Sequence, residues 1–298
     1  MDGLGHAQCM EGKAKLAKAC DVLYRTYAHA LKDQGSHWAP GSPMDLALSR
    51  TSGPLKGALN EGAVVAWLAF QSALNHLSAL GRLIADDGIV PPLATLARGA
   101  TEAASVAWYL LDFEVSDSER GRRFFNEMLS SLTEVRLGHD GTEEGASLDQ
   151  DIRKAITDGQ SLGFKLTTPR KNPEWNAPYF GDRPPRATRR VEDLLATADL
   201  GRVVYRSLSA TAYATAHGLG QFLQPIGDEV DGSIPSVIAL SPASAANNFV
   251  AAPLGITTAG NSVLSAFGLD RGPVARTTTL ALSAWAAVGG LPPRTFAD

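Results

Sequence analysis

Apolar residues recur at three- and four-residue spacing along much of this chain, the period of a helix with one face in a core. Leu16, Ala19, Cys20, Leu23 and Tyr27 predict a long helix over residues 7–31, ended by Gly35 and the prolines at 40 and 43. A serine-, glycine- and proline-bearing loop through Pro54 follows. Ala63, Trp67, Phe70, Leu74, Leu77 and Leu80 predict a second helix over 59–85, stopped at Asp86-Asp87-Gly88. Pro91-Pro92 opens a third, over 93–111.

Ser116 or Ser118 caps a fourth helix over 119–137, where Asp117 and Glu119 suit the positive helix end. A weaker, polar helix spans 147–162. Between 165 and 185, five prolines forbid a regular helix. Helices then follow over 188–195, capped by Thr188, and over 199–222. An irregular or hairpin excursion at 227–240 is marked by Asp231-Gly232, with Val230 on one side and Val237-Ile238 on the other. Pro242 starts a helical stretch to Leu269, interrupted near Pro253, and Pro273 opens the last helix, which ends at Gly289-Gly290.

The expected fold class is therefore all-α: a helical bundle of about eight to ten helices with a small irregular or hairpin insertion. Residues 1–164 form an N-terminal helical bundle, 165–187 a Pro-rich basic loop, and 188–298 the C-terminal helices completing the same bundle.

Composition narrows the function classes. A chain of 298 residues, 44% hydrophobic, buries a sizeable core. The net charge of −4 argues against a dedicated nucleic-acid binder, which needs a basic domain to displace counterions. Cys9 and Cys20 lie eleven apart on one helix, roughly 16 Å along its axis, too far to bridge. A reducing, cytoplasmic setting is the simplest home. No signal peptide and no membrane-spanning run is expected; the nearest approach, 232–269, carries three asparagines, two of its prolines interrupt it, and it reads as buried or half-buried helix. Ala- and Gly-rich, weakly charged C-terminal helices suit a subunit interface, so a homo-oligomer is expected.

The third helix carries a polar line through apolar surroundings. Arg98, Glu102, Ser105 and Tyr109 fall within about 40° of each other at helical spacing. The line is either a solvent-facing ion pair or a charged pair facing another helix. A second line lies on the 199–222 helix: Arg206, Tyr213 and His217, with Ser209 to one side and Tyr205 flanking. If the two lines met, Glu102 would hold His217 in one tautomer, the ingredients of an acid–base site and equally of a satisfied polar core. Glu102 and His217 are then the catalytic candidates. Arg98, His76, Tyr205, Arg206, Ser209 and Tyr213 are the substrate-binding ones, suited to a small anionic ligand. His76 alone, among Leu74, Leu77 and Leu80, reads as a core histidine bonded to a carbonyl. Gln71, Asn75, Ser78 and Arg82 form the solvated side of its helix.

The Pro-rich stretch holds the one local basic excess, with Arg170, Lys171, Arg183, Arg186, Arg189 and Arg190 interleaved by Trp175, Tyr179 and Phe180. That pattern suits single-stranded nucleic acid. It suits better a loop that packs its aromatics on the bundle and solvates its arginines. No zinc, di-iron, phosphate-loop or dinucleotide motif is present, so neither metal nor cofactor is expected. The group Glu134, His139, Asp140, Glu143 and Glu144 reads as loop composition rather than a metal site.

Three phrases together carry a resemblance: Asn75-His76-Leu77; Arg98-Gly99-Ala100-Thr101-Glu102 with Trp108 beyond; and Tyr205-Arg206-Ser207-Leu208-Ser209 with His217-Gly218. They resemble uncharacterised bacterial helical-bundle proteins grouped loosely with HEPN-like domains. The resemblance implies an all-helical fold with the two phrase-bearing helices adjacent, and no established activity. HEPN ribonucleases place an Arg and a His four to six residues apart on one helix. Here ten residues separate Arg206 from His217, and three separate Arg25 from His29, so the ribonuclease pair is not matched. The resemblance then implies a degenerate HEPN-like binding or self-association module in a bacterial accessory or defence role.

Overall fold

The computed structural model describes residues 3–32, 37–86, 90–169, 176–196, 201–225 and 236–290. Its elements run α1 (Gly3–Lys32), α2 (Pro43–Ser49), α3 (Gly53–Ala85), α4 (Val90–Leu110), α5 (Asp117–Leu137), α6 (Glu143–Ser161), β1 (Leu166–Thr167), β2 (Tyr179–Phe180), α7 (Ala187–Leu194), α8 (Gly201–Ala212), α9 (Ala216–Gly220), β3 (Leu223–Pro225), β4 (Ser236–Ile238), α10 (Pro242–Phe249), α11 (Ala251–Phe267) and α12 (Gly272–Gly289). The fold is all-α, with twelve helices among the described residues rather than eight to ten.

The added helices have local causes. Ser42 caps α2 by accepting from the Asp45 amide at 3.2 Å, and Pro43 presets its first turn, so the expected loop holds a helix. The 199–222 helix breaks after Ala212. Ala214 takes the left-handed conformation (φ 52°), and the Thr215 amide reaches back to the Ala210 carbonyl at 3.0 Å. Thr215 then caps the short α9 through the Gly218 amide. The C-terminal interruption falls at Val250, not Pro253, because a proline within the first turn of α11 is tolerated.

Other boundaries also move. Arg186, not Thr188, precedes the first turn of α7, and no side chain caps it. Thr142 caps α6, which starts four residues before Ser147. Leu223 pairs with Ile238, and Gln224 with Val237, so the hairpin begins on the chain side of Val230. Val230 itself lies outside the described residues.

Alanines set the closeness of the packing. Ala66 and Ala73 on α3, Ala97, Ala100 and Ala104 on α4, and Ala252 and Ala259 on α11 are all fully buried. Elements from both sides of the Pro-rich stretch share this core: α1 packs on α3 and α12, and α4 packs on α3, α11, α8 and α7. At Gly260 of α11 the approach of α1 is so close that a Cβ would lie 2.3 Å from the Tyr27 ring.

By length and composition α3 is apolar enough to cross a membrane, although the sequence shows no uninterrupted apolar run there. The bent pair α10–α11 passes the same test together. In this fold α3 buries Phe70, Leu74, Leu77, Leu80 and Ile84 against its neighbours.

Candidate functional sites

The two polar lines meet, though not as a Glu–His pair. Helix α8 lies on α4, and the Tyr205 hydroxyl donates to Glu102 Oε1. The same oxygen accepts from Arg98 Nε at 2.8 Å. The Arg98 guanidinium sits 4.7 Å from the Tyr213 ring centroid and 5.9 Å from that of Tyr205, a cation between two π faces. Burial pulls the Arg98 guanidinium down, but its contacts with Tyr213 and Glu102 outweigh this and raise it above its ordinary value. Burial, with the Glu102 carboxylate next to it, pushes the Tyr205 phenol up.

This cluster is half-buried, with 23% of the Arg98 and 30% of the Glu102 side chain exposed. Within it, Glu102 Oε1 accepts both hydrogen bonds, from Arg98 and from Tyr205. His217 is not part of it. The left-handed turn at Ala214 puts His217 on α9, where it is exposed and makes no hydrogen bond to Glu102. Arg206 points to solvent and Ser209 is half-buried. Tyr213 is 69% exposed, its ring covering Arg98 from outside.

The rest of the α4 line has separate partners. Ser105 is buried and donates to the Glu102 carbonyl at 2.7 Å. Tyr109 lies under Arg123, whose Nη1 also reaches the Tyr109 carbonyl and Asp112. His76 is half-buried with its imidazole against Gly99, where a Cβ would meet Nε2 at 3.1 Å. It shows no hydrogen bond to a carbonyl among the described residues, so its expected role as a bonded core histidine gives way to a packing contact.

A second site forms where the Pro-rich stretch docks on α5. Asn126 of α5 clamps Phe180 from both sides: Oδ1 accepts from its amide at 2.7 Å and Nδ2 donates to its carbonyl at 3.2 Å. Arg122 Nη1 adds a second donor to that carbonyl at 2.7 Å. The Phe180 ring is fully buried against Phe125 and Phe164, at centroid distances of 6.0 and 5.9 Å. It also lies directly over Gly159, where no Cβ would fit. The reading favoured from the sequence, a loop that packs its aromatics on the bundle, holds for Phe180, which anchors the stretch.

That docking leaves a groove of about 310 Å3 between α5, the prolines and the start of α7. Glu127, Ser130, Arg183, Arg186 and Arg190 contribute its polar lining. Arg190 pairs with Glu127 at 2.6 Å, while its Nε is buried without a hydrogen-bond partner. Arg189 turns away to Asp193 at 2.9 Å and Glu192 at 3.7 Å. Arg183 and Arg186 are exposed and make no ion pair among the described residues. Arg170, Lys171 and Trp175 lie outside those residues. Of the basic positions expected to act together, two are thus neutralised and two are free, at the uncapped positive end of α7.

Among the described residues no group of His, Cys, Asp and Glu is arranged to hold a metal ion. His139 instead faces Glu144 at 3.2 Å. No family model matches the chain, and neither a curated protein nor a solved structure does.

Proposed function

We propose that this protein is a binding module for a phosphate-bearing ligand, held in the groove between α5, the Pro-rich stretch and the N-terminus of α7. The observation that carries the reading is the pair Arg183 and Arg186. Both are exposed, both are free of acidic partners, and both border a groove whose third guanidinium, Arg190, offsets Glu127. Planar guanidinium forks suit phosphate oxygens, and unpaired amides at an uncapped helix start add donors of the same preference.

The alternative, acid–base chemistry on a small anionic substrate, loses support from the geometry of Glu102. Its carboxylate is engaged by Arg98 and Tyr205, and His217 stands apart. On this reading the Arg98–Glu102–Tyr205 cluster joins α4 to α8 and is no catalytic centre. The chain is then a degenerate HEPN-like bundle in the loose sense, one that binds rather than cleaves.

The test is titration with inorganic phosphate, a mononucleotide and a short single-stranded oligonucleotide at several salt concentrations. Saturable binding of at least one, weakened about tenfold or more by Arg183→Ala/Arg186→Ala, is expected. For an oligonucleotide, log K against log salt should fall by about 0.7 per phosphate engaged. No saturation at low salt, or binding indifferent to the double variant, would overturn the proposal. Native mass spectrometry of the purified, untagged protein gives an independent readout of a co-purifying anion.

A further inference from the structure

The charged side chains that line the phosphate groove do not balance. Arg183, Arg186 and Arg190 bring three positive charges and Glu127 one negative, which leaves two positive. A phosphate monoester carries about −1.5 to −2 at pH 7 and matches that excess. A polyphosphate or a run of phosphodiesters overshoots it and sets further charge against Glu127. The volume of about 310 Å3 lies at the small end of ligand sites, with room for one small molecule.

The hydrogen-bonding character of the lining is uneven too. Pro169, Pro178, Pro184 and Pro185 have no backbone N–H to offer. Glu127 Oε2 is held by Arg190 at 2.6 Å, whereas Oε1 accepts no hydrogen bond among the described residues. Ser130, the i+3 neighbour of Glu127 on α5, is exposed and its hydroxyl makes no hydrogen bond among the described residues. A bare phosphate brought into this groove meets the Glu127 carboxylate as anion against anion. A hydroxyl carried by the same ligand turns that contact into a charge-assisted hydrogen bond, its O–H donating to Oε1 while the phosphate oxygens sit on the guanidiniums.

We infer that Glu127 sets the specificity of the groove, and that the ligand is a phosphate monoester with hydroxyl groups close to its phosphate. That is the shared chemistry of a sugar phosphate and of the ribose end of a nucleoside 5′-monophosphate. The inference rests on the phosphate reading of the groove and names the class of ligand within it. Arg183 and Arg186 take the phosphate. Glu127, oriented by Arg190, accepts from one hydroxyl, and Ser130 offers a partner to a second.

The test is calorimetric titration of the full chain with methyl phosphate, ribose 5-phosphate, adenosine 5′-monophosphate and pyrophosphate at one salt concentration. Ribose 5-phosphate should bind at least about tenfold tighter than methyl phosphate, and pyrophosphate no tighter than methyl phosphate. Glu127→Gln should shrink the ribose-to-methyl ratio and tighten pyrophosphate. Ser130→Ala, at an exposed position, should weaken ribose 5-phosphate about threefold and leave methyl phosphate unchanged. Equal affinity for methyl phosphate and ribose 5-phosphate, or a ratio that neither variant moves, would overturn the inference while the phosphate reading stands. No saturation by any of the four would overturn both. Adenosine 5′-monophosphate binding tighter than ribose 5-phosphate assigns a nucleotide as the source of the chemistry, and equal or weaker binding assigns a free sugar phosphate.

Discussion

The Tyr205 hydroxyl on α8 donates to the Glu102 carboxylate on α4, 103 residues earlier in the chain. Both the donor and Arg98 converge on one oxygen, so the bond ties the two halves of the polar cluster across a helix–helix contact. Removing the donor by Tyr205→Phe should cost about 1–2 kcal/mol, seen as a lower denaturant midpoint at unchanged m. In a double-mutant cycle with Glu102→Gln the two losses should couple by about 0.5 kcal/mol or more. Strict additivity would show that the two side chains do not share this bond.

The same contact sets an alkaline limit. The Tyr205 phenol is raised above its ordinary value of 10.0, so the folded chain holds that proton more tightly than the unfolded chain. The associated stability is complete below about pH 10 and is lost as pH rises beyond it. Wild type should therefore lose stability faster than Tyr205→Phe above that point, as measured by chemical denaturation across alkaline pH. Parallel curves would argue against a shifted phenol.

An acid limit belongs to Asp117 at the start of α5. Arg50 grips it with two hydrogen bonds, at 2.5 and 2.8 Å, and Arg120 adds a third. The Arg50 contact first, then Arg120, outweigh burial and hold its carboxyl below the ordinary 3.8. A depressed carboxyl contributes stability that is full above the unfolded value and lost as pH falls through the folded one. Asp117→Asn should be less stable than wild type at neutral pH, and the gap should close below about pH 4. A gap that persists in acid would show that the loss does not depend on the charge of the carboxylate.

The corner between α8 and α9 makes opposite predictions at two small residues. Ala214 holds φ at 52°, a conformation that costs a non-glycine residue about 1 kcal/mol, so Ala214→Gly should raise the melting temperature. At Gly218 a Cβ would lie 2.3 Å from the Ala210 carbonyl carbon, and backbone cannot give way cheaply. Gly218→Ala should destabilise by about 1–3 kcal/mol. Thermal melts of the two variants decide both signs.

Phe180→Ala removes the anchor of the Pro-rich stretch. The fully buried ring should cost about 3–5 kcal/mol, and with it the alignment of Arg183 and Arg186 along their groove. Phosphate binding should fall even at temperatures where the helical signal is retained. Retained affinity would show that the arginines act without the docked stretch.

Much of the helical framework was legible from residue spacing alone. The core positions Leu16, Cys20, Leu23 and Tyr27 are buried as their period demands, and Ser116 caps α5 through the Glu119 amide at 3.2 Å. Helix α2 was hidden because seven residues are too few for periodicity to stand out, though Ser42-Pro43 with Asp45 was a readable start signal. The break at Ala214 carried no glycine or proline to announce it. Its signal was Thr215, a capping residue inside an otherwise continuous helical pattern.

The sequence by itself determined that this chain would be helical, where most helices start, and that Arg98 and Glu102 would meet, because these follow from local geometry within a few residues. Only the tertiary structure decided what Glu102 meets next. One left-handed residue sends His217 away, and the approach of α8 supplies Tyr205 in its place. Likewise Glu127 neutralises Arg190 from 63 residues away, while Arg183 and Arg186 remain free. Residue spacing cannot encode such pairings, since they depend on how whole helices pack and not on the period within any one of them.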